Sequence, residues 1–236
     1  MAAMMKWLKP IAVAASVAAT LFSTTVVADA GDKILESDCV ECHELEGAGP
    51  TSQAELWALK GPNLSYAGNK YKQAWLEQWL IAPTRIRPAG MFYGNHIKPG
   101  PEQDVVDEAS LIKHEALTAD EAKAVAAALM QRKAKSELIK PGAYKSGKIS
   151  LRMGELIFIK FRGCSGCHQI EPGYGGISGP EVYTAAKRLQ EDYIISFIQD
   201  PQAWSPLTFM PKRPLKDKDL QKLVHYFRAL AKENFE

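Results

Sequence analysis

The clearest periodicity lies near the C-terminus, where Leu220, Leu223, Val224, Phe227 and Leu230 recur at spacings of three and four. That is the stripe of an amphipathic helix, and it predicts a helical segment over 216–232. Upstream, positions 193, 194, 195, 197 and 198 are apolar, a buried helical stripe that Pro201 brings to a stop. Ala124, Val125, Ala128 and Leu129 repeat the pattern in the first half, within a predicted helix over 118–133. No stretch alternates apolar and polar residues over a useful strand length. The pattern predicts an all-α fold.

The first thirty residues follow a different rule. Lys6 and Lys9 precede an apolar run over 11–22, and small residues then lead to Ala28-Asp29-Ala30, an A-x-A cleavage pattern. This layout predicts a signal peptide over 1–30 and a periplasmic mature protein. The rival reading is an uncleaved anchor. Ser23, Thr24 and Thr25 interrupt the run after twelve residues, which is short for a membrane span. Nothing downstream is long or apolar enough to predict one.

Composition narrows the class. Hydrophobic residues make up 46% and charged residues 24% of the 236, as in a soluble globular protein. After cleavage at Ala30 the chain would carry 27 Lys and Arg against 26 Asp and Glu. That near-balance argues against a basic nucleic-acid binder. The charge is unevenly spread. Residues 31–140 hold 13 basic and 16 acidic groups, and residues 141–236 hold 14 and 10.

All four cysteines fall in two copies of one motif, Cys39-Val40-Glu41-Cys42-His43 and Cys164-Ser165-Gly166-Cys167-His168. C-x-x-C-H is the attachment signature of c-type haem. Two thiols three positions apart can each add to a vinyl group on one porphyrin edge, and the adjacent His can then bind the iron from below. A zinc site or a redox dithiol is the competing reading. The His directly after each pair and the predicted export both favour haem. Two haem c groups are expected, held covalently by Cys39, Cys42, Cys164 and Cys167.

The chain also repeats itself. Gly61-Pro62-Asn63-Leu64 and Gly179-Pro180-Glu181-Val182 match at an offset of 118, which also aligns Trp75 with Tyr193, Trp79 with Phe197 and Pro83 with Pro201. A methionine follows each proline, Met91 and Met210. With these residues in place, the chain resembles the class I cytochrome c family in tandem two-haem form, over nearly all of its mature length. The resemblance implies two cytochrome c domains, over 31–135 and 148–236. Between the repeats, residues 131–150 are rich in Lys with a Pro141-Gly142 turn, and a linker is expected over 136–147. The same resemblance implies His43 and His168 as proximal iron ligands, and Met91 and Met210 as the sixth ligands. It also implies a helix-crossing contact in each half. Gly154, Phe158 and Tyr226 fit that contact in the second half, and Gly31, Ile34 and Leu129 fit it more loosely in the first.

Met210 precedes Pro211, as the axial methionine of that family often does. Met91 is followed instead by Phe92, with His96 and His114 close by in sequence, and His96 is the alternative ligand. Segment 92–113 has no counterpart in the second half and reads as an insertion. Trp204 and Tyr183 could bond haem propionates or serve as core, and His225 reads as a surface or packing residue.

Two capped irons would leave no open position for substrate, so the reading is an electron carrier rather than an enzyme. A haem subunit of a larger oxidoreductase is the alternative, and a small two-haem peroxidase or dehydrogenase a weaker one. Lys212, Arg213, Lys216, Lys218 and Lys222 would favour an acidic redox partner. Asp38, Glu41, Glu44 and Glu46 would favour a basic one.

Overall fold

The structure is a computed structural model and describes residues 27–47 and 49–235. Most of the predicted leader therefore lies outside the described residues. Ten helices carry the fold among those residues. The first, α1, covers 27–34 and widens into a π-type turn at Leu35–Cys39. The others are α2 (Gln53–Ala58), α3 (Ala67–Lys70), α4 (Gln73–Ile81), α5 (Ala119–Gln131), α6 (Leu151–Leu156), α7 (Ala185–Arg188), α8 (Glu191–Gln199), α9 (Pro201–Trp204) and α10 (Asp217–Leu230). Helix α6 also widens, at Ile157–Phe161. The strands are two short hairpins, β1 (Ile97–Lys98) with β2 (Val105–Val106) and β3 (Gln169–Glu171) with β4 (Tyr174–Gly175). The helical expectation holds.

Local sequence accounts for the helix ends. Thr118 and Glu121 form a reciprocal capping box at the start of α5, satisfying donors that the first turn leaves unpaired. The Ser150 hydroxyl accepts from Met153 N–H at the start of α6. The acidic first turn of α10 is held by Arg162, whose Nη2 lies 2.6 Å from Asp219 Oδ2.

Two buried clusters form the core. One joins Leu35, Leu64, Leu76, Leu80, Val125 and Leu129, and the other joins Phe158, Ile194, Leu223, Val224, Tyr226 and Phe227. Each is closed by a helix crossing at a glycine. A Cβ on Gly31 would lie 2.0 Å from the Ala124 carbonyl oxygen and 2.9 Å from Ala128 Cβ. One on Gly154 would lie 2.1 Å from Tyr226 Cδ2. Gly31 thus sits at a crossing, but Ala124 and Ala128 are what it meets, while Leu129 and Ile34 belong to the neighbouring cluster. With small residues on both helices, α1 and α5 approach through backbone.

The halves pack on one another through equivalent residues. Tyr71 and Leu189 form an antiparallel bridge. Lys72 N–H donates to Arg188 O, and Gln190 N–H donates to Lys70 O, both at 2.9 Å. Each bond is the counterpart of the other at the offset of 118, so a local twofold relates the halves here, as in an isologous dimer interface. Beside it, Tyr66 of the first half packs against Tyr193 and Trp204 of the second, with ring centroids 6.4 and 5.2 Å away.

The repeat is less regular elsewhere. His43 and Pro62 are 19 residues apart, and His168 and Pro180 only 12. The longer connection holds α2, and the β3–β4 hairpin occupies the shorter one. Residues 136–147 are not a free tether. Gly142 and Tyr144 N–H each donate to the Asp192 carboxylate at 2.7 Å, and Lys145 N–H donates to Gln221 Oε1 at 2.8 Å.

Candidate haem sites

Each C-x-x-C-H motif stands at the end of a widened helix, and its backbone coils so that the His N–H bonds the carbonyl of the first Cys, Cys39 O at 2.9 Å and Cys164 O at 3.1 Å. None of the four cysteines is paired in a disulfide. Burial pushes the Cys39 and Cys164 thiols up from their ordinary range.

The two imidazoles are held alike. His43 Nδ1–H donates to Pro62 O at 2.9 Å, and His168 Nδ1–H donates to Pro180 O at 2.6 Å. This fixes the tautomer and leaves each Nε2 as a lone-pair donor, the arrangement of a metal-ligating histidine. The glycine before each proline is required by space. A Cβ on Gly61 would meet His43 Cε1 at 2.5 Å, and one on Gly179 would meet His168 Cε1 at 2.6 Å. Burial lowers the pKa of both rings and keeps them neutral near pH 7, against the opposing pull of the carbonyl bonds.

Residues 28–133 match the cytochrome c family model. No curated protein and no solved structure matches the chain. A cytochrome c domain holds haem c covalently and serves electron transfer, and the donor set at Cys39, Cys42 and His43 suits that group. Among the described residues, no helix is long and apolar enough to cross a membrane.

The remaining residues singled out in the sequence are placed as follows. Met210 is half-buried, and its carbonyl accepts from Gln202 Nε2 at 2.8 Å. Met91 is half-buried and follows Gly90, whose φ of +71° turns the chain. Phe92 lies between Trp57 and Phe209, with centroids 5.3 and 6.0 Å away, so the insertion touches the second half. His96 packs under Gly90 and donates from Nδ1 to Ser110 Oγ at 2.9 Å. His114 is exposed and lies beside the first motif, its ring centroid 6.2 Å from that of His43.

Trp204 is core: its indole N–H donates to Ser196 Oγ at 3.0 Å and it is 1% exposed. Tyr183 is half-buried against Phe235. His225 is a packing residue, bonded to Lys145 O at 2.8 Å and set against Tyr144.

One residue has no sequence signal. Arg87 follows α4 and lies near Tyr66, Tyr71, Tyr193, Arg188 and His168, between the halves, where burial pulls its pKa down. Among the described residues no carboxylate pairs with it. Only the folding of 82–90 against the second half, where Glu181 N–H donates to Ile86 O at 2.8 Å, brings it there. The charged clusters are partly spent internally, since Lys212 pairs with Asp200, Glu41 with Lys60, and Glu44 with Asn63. Arg213, Lys216, Lys218 and Lys222 remain exposed, as do Asp38 and Glu46.

Proposed function

We propose that this protein is an exported two-haem c-type cytochrome that passes single electrons between redox partners outside the cytoplasm. The observation that carries the reading is the duplicated proximal geometry. In both motifs, a half-buried imidazole is locked through Nδ1 by a proline carbonyl, and a glycine is pressed against its ring. Cys39 and Cys42 would hold one haem, and Cys164 and Cys167 the other, with His43 and His168 as proximal ligands. Met210 would complete the second iron, and the loop over 91–114 the first. The haem supplies the one-electron couple. The protein's residues set its potential, exclude water and present an edge to partners.

Arg87, among the interdomain tyrosines, would receive acidic haem propionates as a charge-assisted hydrogen-bond donor. One electron enters from a reduced partner and one leaves to an oxidised partner, with no bond made or broken. The exposed lysines and Arg213 would steer an acidic partner to the second half, with an on-rate that falls as salt rises. The acidic groups around the first motif would suit a basic partner.

The test is the mass and gas reactivity of protein matured in a host that attaches c-type haem. Two covalently added haems and no prompt carbon monoxide binding after reduction support the carrier. A single haem removes the two-haem reading. Prompt binding at one iron moves the protein toward catalysis.

A further inference from the structure

We propose that the sixth ligand of the first haem iron is His114, so that this haem is held between two histidines while the second has a histidine and a methionine. The inference rests on the reading of Cys39–His43 as a haem site, and the geometry of His114 carries it. A metal–imidazole bond is about 2 Å, and the ring centre lies roughly 1 Å further on, so two rings facing one ion have centres about 6 Å apart. The His43 and His114 centroids are 6.2 Å apart.

Both rings also use the same nitrogen elsewhere. His43 Nδ1–H is bonded to Pro62 O at 2.9 Å, and His114 Nδ1–H to Glu115 O at 2.7 Å. Each is thereby left with Nε2 as its lone-pair donor, as a backbone carbonyl arranges it in metal-ligating histidines. His114 is positioned from its C-terminal side. Leu117 N–H donates to Leu80 O at 2.9 Å, and the capping box fixes the chain at Thr118. The ring itself rests edge-on against Trp79, with centroids 4.7 Å apart. His96, by contrast, is turned toward Gly90 and Ser110.

Register supports the same choice. Counted forward from the equivalent prolines, Met91 and Met210 correspond. Counted back from the caps of the C-terminal helices, Thr118 and Lys216, it is His114 that falls near the place of Met210, four positions before its cap against six. The insertion 92–113 separates the two counts, and the structure brings the residue at its far end beside His43. A second histidine in place of methionine lowers the potential. Electrons would therefore enter at the first haem and rest on the second.

The experiment reads the oxidised protein in the near infrared, where methionine-ligated low-spin haem shows a charge-transfer band, together with low-temperature electron paramagnetic resonance. Expected in the unaltered protein are one methionine-ligated haem and one bis-histidine signal. Met91→Ala should leave both unchanged, and Met210→Ala should abolish the infrared band. His114→Ala should remove the bis-histidine signal and open the first iron to carbon monoxide. The proposal is overturned if Met91→Ala halves the band, or if the unaltered protein shows two methionine-ligated haems. That last measurement needs no variant to fold. Should the mass reveal haem at Cys39 and Cys42 alone, the two-haem reading falls, and a bis-histidine signal from that haem still supports His114.

Discussion

Tyr71 and Leu189 occupy equivalent positions in the two halves and pair with each other across the local twofold. A repeat that pairs with its own counterpart buries one surface twice, so a single change at that surface is felt by both halves. Trp204 lies beside this axis, 1% exposed and in contact with Tyr66 and Tyr193. Trp204→Ala should cost about 3–5 kcal/mol and split the thermal unfolding of the haem-loaded protein into two transitions, seen by calorimetry. A single transition at an unchanged temperature would show that the cluster does not couple the halves.

Gly61→Ala and Gly179→Ala should each impair one haem site. The added methyl meets the proximal imidazole at 2.5 or 2.6 Å and the carbonyl of the preceding Cys at 2.9 Å, so the ring must move or the loop must open. Intact mass and the oxidised spectrum are expected to show a loss or altered ligation confined to the haem of the mutated half. Equal damage to both haems would count against independent sites.

The two helix crossings should differ in tolerance. Gly154→Ala presses on the Tyr226 side chain rather than on backbone, and overpacking of that kind costs about 1–3 kcal/mol. Gly31→Ala presses on the backbone carbonyl of Ala124 at 2.0 Å, which cannot move without bending α5. Denaturant titration of the holoprotein should find Gly31→Ala the more destabilising of the two.

Glu191 gives the interface a pH dependence. Burial opposes its ionisation, but bonds from Lys72 at 3.0 Å and from Arg228 outweigh that and hold its carboxyl below the usual range. A lowered folded pKa contributes stability that is fully present above the unfolded value and is lost as pH falls through the folded one. Both partners are partly solvated, so the gain is about 1 kcal/mol or less. Glu191→Gln should lower the midpoint slightly at pH 7 and match the unaltered protein in acid, below the carboxylate range. An equal deficit at both pH values would assign Glu191 a packing role instead.

The sequence by itself determined the helices α5, α8 and α10 and the places where haem would attach. Helix stripes, caps and the C-x-x-C-H spacing are written in residues only a few positions apart, so they survive without knowledge of the rest of the chain. The Gly-Pro repeat and the crossing at Gly154 were legible for the same reason, because a second copy supplied the register. Other features depended on which distant segments meet. Trp204 could be a propionate donor or core until Ser196 was seen to take its indole proton. Arg87 had no pattern around it, and its place between the halves comes from segment 82–90 docking on Glu181. The residue facing His43 was ambiguous because the insertion 92–113 breaks the register, leaving Met91 in place by one count and His114 by the other. Only closure of the chain, through Leu117 on Leu80 and the ring against Trp79, decided that His114 lies beside the first motif. A ligand on a loop is set by where that loop is anchored, and no local spacing encodes that.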